Sequence, residues 1–308
     1  MPEATVIIAA WNAAETIDRC VRSALSQTDV TVEAIVVDDA SPDDTSARAD
    51  ATGARVFRLP ENGGPAVARN RALDEARTDW LAVLDSDDTM ADDRLSRMIS
   101  VAETHGADVV LGNFRYANED GAPLVQAPFL PCDADAAPQH WSFEHFVAGN
   151  QVTPGSRALG YLKPLFRRSF LENHKIRYNP ALRNGEDCHM IYACLAAGAR
   201  VVFDPLPGYN YTVRRGSISH RVDPRHIDAL MAADAAFVQR HAAELTPKLK
   251  ALFASRHDGL STLKQSEEAM IALKSGRPAT AVAALAKKPS ATGRFARQLL
   301  EAGRKRIK

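Results

Sequence analysis

The chain opens with Thr5-Val6-Ile7-Ile8-Ala9-Ala10, an unbroken run of β-branched and small apolar residues, which is the pattern of a strand buried on both faces. The run breaks at Trp11-Asn12, and Ile17, Cys20, Val21, Ala24 and Leu25 then recur at the spacing of one helix face. Residues 32–37 repeat the strand pattern and end in Asp38-Asp39-Ala40-Ser41-Pro42, where Ser41 is placed to cap a helix with Pro42 as its first residue. A third short strand over 54–59 runs into Glu61-Asn62-Gly63-Gly64-Pro65 and a helix over 66–76. A fourth, over 80–84, ends abruptly in Asp85-Ser86-Asp87-Asp88. Strand and helix thus alternate four times within about 85 residues, and every strand ends in polar or glycine-rich sequence. This predicts an α/β fold, a doubly wound and mostly parallel sheet.

The pattern then loosens. A helix is predicted over 92–105, a strand over 108–111, and a hairpin over 114–125 with Glu119-Asp120-Gly121 at its centre. Residues 126–157 hold Pro128, Pro131, Pro138 and Pro154 with His140 and Trp141, and read as an irregular segment bordering a cleft. Residues 162–171 lead to Asn184-Gly185-Glu186-Asp187, which opens a helix to about 197, and two further strands are predicted over 200–203 and 208–213. From Asp223 the pattern becomes alanine-rich and helical, a C-terminal appendage; the expected division is 1–222 and 223–308.

Composition narrows the partners. The 38 basic and 38 acidic residues of the 308 cancel, so no nucleic-acid partner is expected. Cys20, Cys132, Cys188 and Cys194 are scattered without a Cys-x-x-Cys pair, which fits reduced thiols in the cytoplasm. No apolar run approaches the ~18 residues of a membrane span. Residues 287–308 nevertheless carry eight basic residues against the single acid Glu301, with Phe295, Leu299 and Leu300 as an apolar face. Such a helix fits either a solvated terminus or peripheral contact with the inner face of the cell membrane. Oligomeric state is not legible.

The chemistry gathers at the strand ends. In an open parallel sheet the ends of strands one, two and four share an edge, so Trp11, Asp38, Asp39, Asp85 and Asp87 converge there. Three carboxylates in four positions call for a cation or for full hydration, and a hard divalent ion completed by phosphate oxygens suits that edge. An aromatic face beside carboxylates describes a nucleoside site. A dinucleotide-binding dehydrogenase needs Gly-x-Gly-x-x-Gly after the first strand, where this chain has Ala10-Trp11-Asn12-Ala13. A nucleotidyltransferase would carry a glycine-rich basic loop there, which is also absent. Each feature alone has a plain structural reading; Asp187, for one, suits the first turn of any helix.

Taken in order, the motifs resemble those of family 2 glycosyltransferases of the GT-A fold, over roughly residues 4 to 222. The resemblance lies in Ile7-Ile8-Ala9-Ala10-Trp11-Asn12, with Trp11 where a tyrosine is usual, in Val36-Val37-Asp38-Asp39-Ala40-Ser41, in Asn62-Gly63-Gly64-Pro65-Ala66-Val67-Ala68-Arg69-Asn70, in Asp85-Ser86-Asp87 and in Glu186-Asp187. It implies that Trp11 stacks on uracil, that Asp39 with Asp38 fixes base and ribose, and that Ala9, Gly64, Arg69 and Ser86 face the donor. It further implies that Asp85 meets the ribose or a metal-bound water and that Asp87 binds Mn2+ or Mg2+. Asp88 falls outside the pair and is expected to serve the turn. Glu186 and Asp187 mark the acceptor site, with Asp187 as the base that takes the acceptor's proton. One base and direct displacement give inversion, hence a β-linked product from an α-linked donor. Tyr211 to Arg221 reads either as a solvated basic loop or, as similar segments of related transferases favour, as a lid hinged at Gly216, with Arg214, Ser217, Ser219 and His220 on the diphosphate.

Within the family, Gly160-Tyr161-Leu162-Lys163-Pro164-Leu165-Phe166-Arg167-Arg168 and Arg214-Arg215-Gly216-Ser217-Ile218-Ser219-His220 look most like bacterial succinoglycan-type exopolysaccharide transferases. That implies a hexose, glucose from UDP-glucose, moved to a lipid-linked oligosaccharide or polysaccharide. A wall teichoic acid or lipopolysaccharide transferase would share most of these residues. A reading from another class is a non-catalytic sugar-nucleotide-binding assembly protein on the same fold, against which the presence of both Asp87 and Asp187 speaks.

Overall fold

The N-terminal apolar run is an inner strand of a mixed sheet in the computed structural model, which describes residues 1–122, 124, 127–153, 155–213 and 223–306. The chain divides into two units, Met1–Phe146 with Leu159–Arg215, and Val147–Ala158 with Gly216–Lys308. In the first unit the elements run β1 Glu3–Ala10, α1 Ile17–Leu25, β2 Thr31–Asp38, α2 Thr45–Asp50, β3 Arg55–Arg58, α3 Pro65–Glu75, β4 Trp80–Val83, β5 Thr89–Met90, α4 Arg94–His105 and β6 Val109–Ala117. They continue with β7 Gln139–Trp141, α5 Phe143–Ala148, whose last two residues fall in the second unit, β8 Lys163–Arg167, α6 Arg168–Asn173, α7 Glu186–Ala196 and β9 Val201–Thr212.

The strand order is β3-β2-β1-β4-β8-β6-β9-β5, with β7 paired to β9. Strands β1 to β4 are mutually parallel in register, Ala10 opposite Asp38 and Ile7 opposite Val83. Ala4 to Ile8 and all of β4 are buried, as expected of strands covered on both faces. Each such Val, Ile or Leu side chain contributes about 1.5–3 kcal/mol through burial. Strand β8 is antiparallel to both β4 and β6, so it enters the sheet at the edge where β4 leaves it. Strand β9 is parallel to β6 and ends at that same edge.

Several elements differ from the pattern-based expectation. The helix after β2 starts at Thr45 rather than Pro42, because Ser41 is used elsewhere: its hydroxyl accepts from the Asn12 N–H at 2.9 Å. The expected strands 200–203 and 208–213 are one strand, β9, carried through Pro205 and Pro207 with a register shift opposite Gly112 and Phe114. The expected hairpin is a longer β6 that turns at Asn118–Gly121, after which the Leu124 N–H returns to the Tyr116 carbonyl at 2.9 Å. Residues 126–157, expected to be irregular, contain β7 and α5, and Trp141 is buried core stacked on Phe203 with ring centroids 4.5 Å apart.

The second unit contains α8 Pro224–Arg240, α9 Pro247–Lys274, α10 Pro278–Lys287 and α11 Ala291–Arg306. Residues of 147–158 pack with these helices: Arg256 pairs with Asp234 at 2.9 Å and donates to the Asn150 carbonyl, and Gln151 donates to the Leu252 carbonyl at 3.2 Å. Phe295 packs inward against an alanine cluster of Ala269, Ala272, Ala281 and Ala284, so it does not join Leu299 and Leu300 on the exposed face that the sequence suggested. Among the described residues no helix is long and apolar enough to cross a membrane.

One brace carries the fold into the site. Arg94 of α4 is fully buried, donates to the Lys163 carbonyl at 2.9 Å, and has its guanidinium over the Tyr209 ring at 5.2 Å. Burial lowers its pKa to about 10, which leaves it charged at neutral pH. Gly112, opposite Lys163 on β6, makes room for it: a Cβ there would lie 2.6 Å from Arg94 Nη2. Gly112→Ala is therefore expected to destabilise the protein by about 1–3 kcal/mol, since a buried guanidinium tied to a carbonyl cannot retreat into solvent. Urea unfolding measures this, and an unchanged midpoint would contradict it.

Candidate active site

The loops after β1, β2 and β3 are stitched together by side chains of the second. Asn12, Ala13 and Ala14 donate backbone N–H groups to Ser41, Thr45 and Asp43, at 2.9, 2.8 and 3.0 Å. Asp39 accepts from the Gly63 and Gly64 amides at 2.7 and 2.8 Å, which fixes the turn into α3. Gly64 has φ of +89°, with Arg183 packed 3.4 Å from where a Cβ would be, so glycine is required there. Trp11 is 51% exposed, an open aromatic face rather than core.

Asp38 is placed differently from the nucleoside contact expected of it. It is fully buried and accepts from the Ser41 N–H at 3.0 Å, the Ser46 hydroxyl and Arg58 at 2.5 Å. Its carboxylate is turned to its own loop. Ala9, which precedes this edge on β1, is half-buried.

The loop after β4 separates its three carboxylates by partner. Asp85 accepts from Arg69 at 2.7 Å and from Lys163 at 2.6 Å. Burial favours its neutral form, but the charges of Lys163 and Arg69 outweigh burial and hold its carboxyl well below the usual carboxylate range. Asp88 is no turn cap: buried, it accepts from the Tyr209 hydroxyl and the Thr212 N–H, both at 2.6 Å, and so ties the loop to the end of β9. Burial, then the charges of Asp87 and Asp85, push its carboxyl well above its ordinary value. Asp87 and Ser86 are half-buried between them, and the Asp87 carbonyl accepts from Arg19 at 2.9 Å.

Across the edge, α7 starts after Gly185 with Glu186 and Asp187 in its first turn, where the helix dipole favours both charges. Arg69, expected to face the nucleotide, is instead 4% exposed and spans the gap from α3. It reaches Glu186 at 2.6 Å, Asp187 Oδ1 at 3.1 Å and Asp85 at 2.7 Å, with its guanidinium 5.5 Å from the Tyr178 ring. Lys163 Nζ lies 3.6 Å from Asp187 Oδ2. Burial works against the ammonium, yet Asp85 and then Asp187 raise its pKa, so Lys163 stays charged. Burial first and Asp187 next raise that of Glu186.

Among the described residues no group of three or more His, Cys, Asp or Glu could hold a metal ion. Asp87, a half-buried hard carboxylate at this edge, is the residue that would hold a divalent ion. Arg214, Ser217, Ser219 and His220 lie outside the described residues. The sequence reading gave no role to Lys163, Tyr178 or Tyr209. For Lys163 a signal was present: a lone lysine between Leu162 and Pro164-Leu165-Phe166 in a buried strand demands a counter-charge.

The arrangement has relatives. The chain matches the family model Glycosyl transferase family 2 over residues 5–174. It is 42% identical over 247 residues to the succinoglycan biosynthesis protein ExoO of Rhizobium meliloti (strain 1021), covering 79% of this chain and 70% of that protein. To the UDP-Glc:alpha-D-GlcNAc-diphosphoundecaprenol beta-1,3-glucosyltransferase WfaP of Escherichia coli it is 38% identical over 119 residues, 38% of this chain and 47% of the other. In fold it resembles the mannosyltransferase PcManGT from Pyrobaculum calidifontis, solved with GDP-Man and Mn2+, with TM-score 0.61 over 98% of this chain and 79% of that one at 19% identity. A family match across more than half of the chain, joined to a long relative at 42% identity, makes this protein a member of glycosyltransferase family 2, a sugar-transferring enzyme of GT-A fold.

Proposed function

We propose that the protein is an inverting transferase that moves a hexose, glucose from UDP-glucose, onto a lipid-linked glycan in exopolysaccharide biosynthesis. The observation that supports the reading is the joining of Asp85 and Asp187 through the shared Arg69 and Lys163; with Asp85 assigned to the donor and Asp187 to the acceptor, the two sides of the reaction would share one cluster. Likeness to ExoO favours the pathway, and the name of WfaP favours the donor, the β-linkage and a diphospholipid acceptor.

In this reading Trp11 offers its exposed face to the base, and Asp39 holds the Gly63-Gly64 turn against the donor. Asp85 stands at the ribose side and Asp87 would hold Mn2+ or Mg2+; a bound ion supplies charge stabilisation to the departing diphosphate. Asp187 accepts the proton of the acceptor hydroxyl as its oxygen bonds to the anomeric carbon and the bond to the diphosphate breaks, the electron pair leaving with the diphosphate. Arg214, Ser217, Ser219 and His220 are assigned to the diphosphate.

Three outcomes are expected. Asp187→Asn lowers turnover of UDP-glucose by about 10²–10⁴-fold while calorimetric UDP binding stays intact; unchanged turnover contradicts the base, and binding without turnover by the wild type on any acceptor favours an assembly protein. In a thermal-shift screen, UDP-glucose raises the melting temperature more with Mn2+ than without, and Asp87→Asn removes that difference through ligand-linked stability. An equal shift with and without the ion argues against a metal at Asp87. Deleting residues 287–308, whose Leu299 and Leu300 are exposed, reduces cosedimentation with anionic vesicles; unchanged cosedimentation sinks peripheral attachment by the tail.

A further inference from the structure

We propose that Lys163 is the positioning residue of the catalytic carboxylate: its ammonium, anchored on Asp85, orients Asp187 so that Oδ2 is the oxygen that takes the acceptor's proton. The inference rests on the assignment of Asp187 as base.

Lys163 begins β8 and is 3% exposed. Removing an ammonium from water costs several kcal/mol, offset only by well-placed partners. Two are present, both carboxylates of the site: Asp85 Oδ2 at 2.6 Å and Asp187 Oδ2 at 3.6 Å. The side chain has little freedom to be elsewhere. Its carbonyl is held by Arg94 at 2.9 Å, and its Nζ lies 5.9 Å from the Tyr209 ring centre. Tyr209 is itself fixed, donating its hydroxyl to Asp88 and accepting the Asp85 N–H at 3.1 Å.

The two oxygens of Asp187 are not equivalent. Oδ1 is sealed from solvent and accepts no hydrogen bond, although Arg69 Nη1, which donates to Glu186, lies 3.1 Å away as a counter-charge. The side chain as a whole keeps 13% exposure, and with Oδ1 sealed we assign Oδ2 as the oxygen that meets a substrate. At 3.6 Å the ammonium attracts Oδ2 without occupying it by a hydrogen bond, since such bonds fall within about 2.7–3.2 Å. Arg69 thus attracts one oxygen by charge while Lys163 attracts the other. A carboxylate held on one side only could rotate about its terminal bond, which has a broad, nearly two-fold profile. Preorganisation of this kind acts on the chemical step.

A bare counter-ion for Asp85 would behave differently, because its loss would appear in donor affinity and stability rather than in turnover at saturation. The test uses the full chain with UDP-glucose, UDP-galactose, UDP-GlcNAc and GDP-mannose in Mn2+, a GlcNAc-diphospholipid acceptor, and calorimetric binding of UDP. Lys163→Met is expected to lower kcat at saturating substrates by about 10²-fold, within the span attributed to positioned acid–base groups, with UDP affinity within about 3-fold. Lys163→Arg, which keeps the charge, is expected to recover at least about tenfold of that loss. Lys163→Ala is expected to regain turnover in ethylammonium and not in ethanol. Lys163→Met with kcat near wild type, alongside an inactive Asp187→Asn, overturns the positioning role and leaves the base assignment standing. An active Asp187→Asn overturns both. Should Lys163→Met not fold, the Lys163→Ala variant decides: absence of rescue by ethylammonium overturns the proposal.

Discussion

Gathering Asp85, Glu186 and Asp187 out of water would cost several kcal/mol for each charge if they stood alone. Arg69 and Lys163 offset that cost and, in doing so, dictate where the carboxylates point. Each cation touches both sides of the site: Arg69 reaches Asp85, Glu186 and Asp187, and Lys163 reaches Asp85 and Asp187. The loop after β4 and the first turn of α7 are therefore one electrostatic unit. Losing either cation would leave buried negative charge uncompensated, so the cluster acts on stability and on geometry together.

The sheet delivers these groups because of strand direction. Parallel β1, β2 and β4 bring Trp11, Asp39 and Asp85 to one edge, as any open α/β sheet does. The antiparallel entry of β8 adds Lys163 at its first residue, and the parallel exit of β9 adds Tyr209 and Thr212 at its end. Arg94 then locks the Lys163 backbone from below, in the space that Gly112 leaves open. The result is a site whose charged side chains are held by buried partners before any substrate arrives, which lowers the reorganisation needed during reaction.

How much of this was legible follows from what hydrophobic patterning encodes. Buried parallel strands announce themselves as continuous apolar runs, so the strand ends carrying Asp39, Asp85 and Asp87 could be placed, and Gly63-Gly64 and Glu186-Asp187 followed from turn and helix-start chemistry. Strand direction leaves no trace in such a run, so nothing placed Lys163 beside Asp85. Partner choice among charges was equally hidden. Asp38 and Asp39 are neighbours in sequence, yet one is consumed by Arg58 and its own loop while the other bridges two amides of the next turn. Asp88 could not be told from a turn residue until β9 was seen to lie across it. Pro205 and Pro207 lie between the two strands expected over 200–203 and 208–213, but the sheet carries β9 through them at an irregular stretch of its ladder.

The claim that the two sides of the site form one unit is tested most directly by a double-mutant cycle on unfolding free energy between Asp85→Asn and Asp187→Asn. The two carboxylates share Arg69 and Lys163 as partners, and at this range their own charges also repel, so a change at one is expected to be felt at the other. Residues that share a buried charge network are expected to couple by about 0.5–3 kcal/mol, so the double variant should depart from the sum of the singles by at least about 1 kcal/mol. Additivity within about 0.3–0.5 kcal/mol would contradict the account.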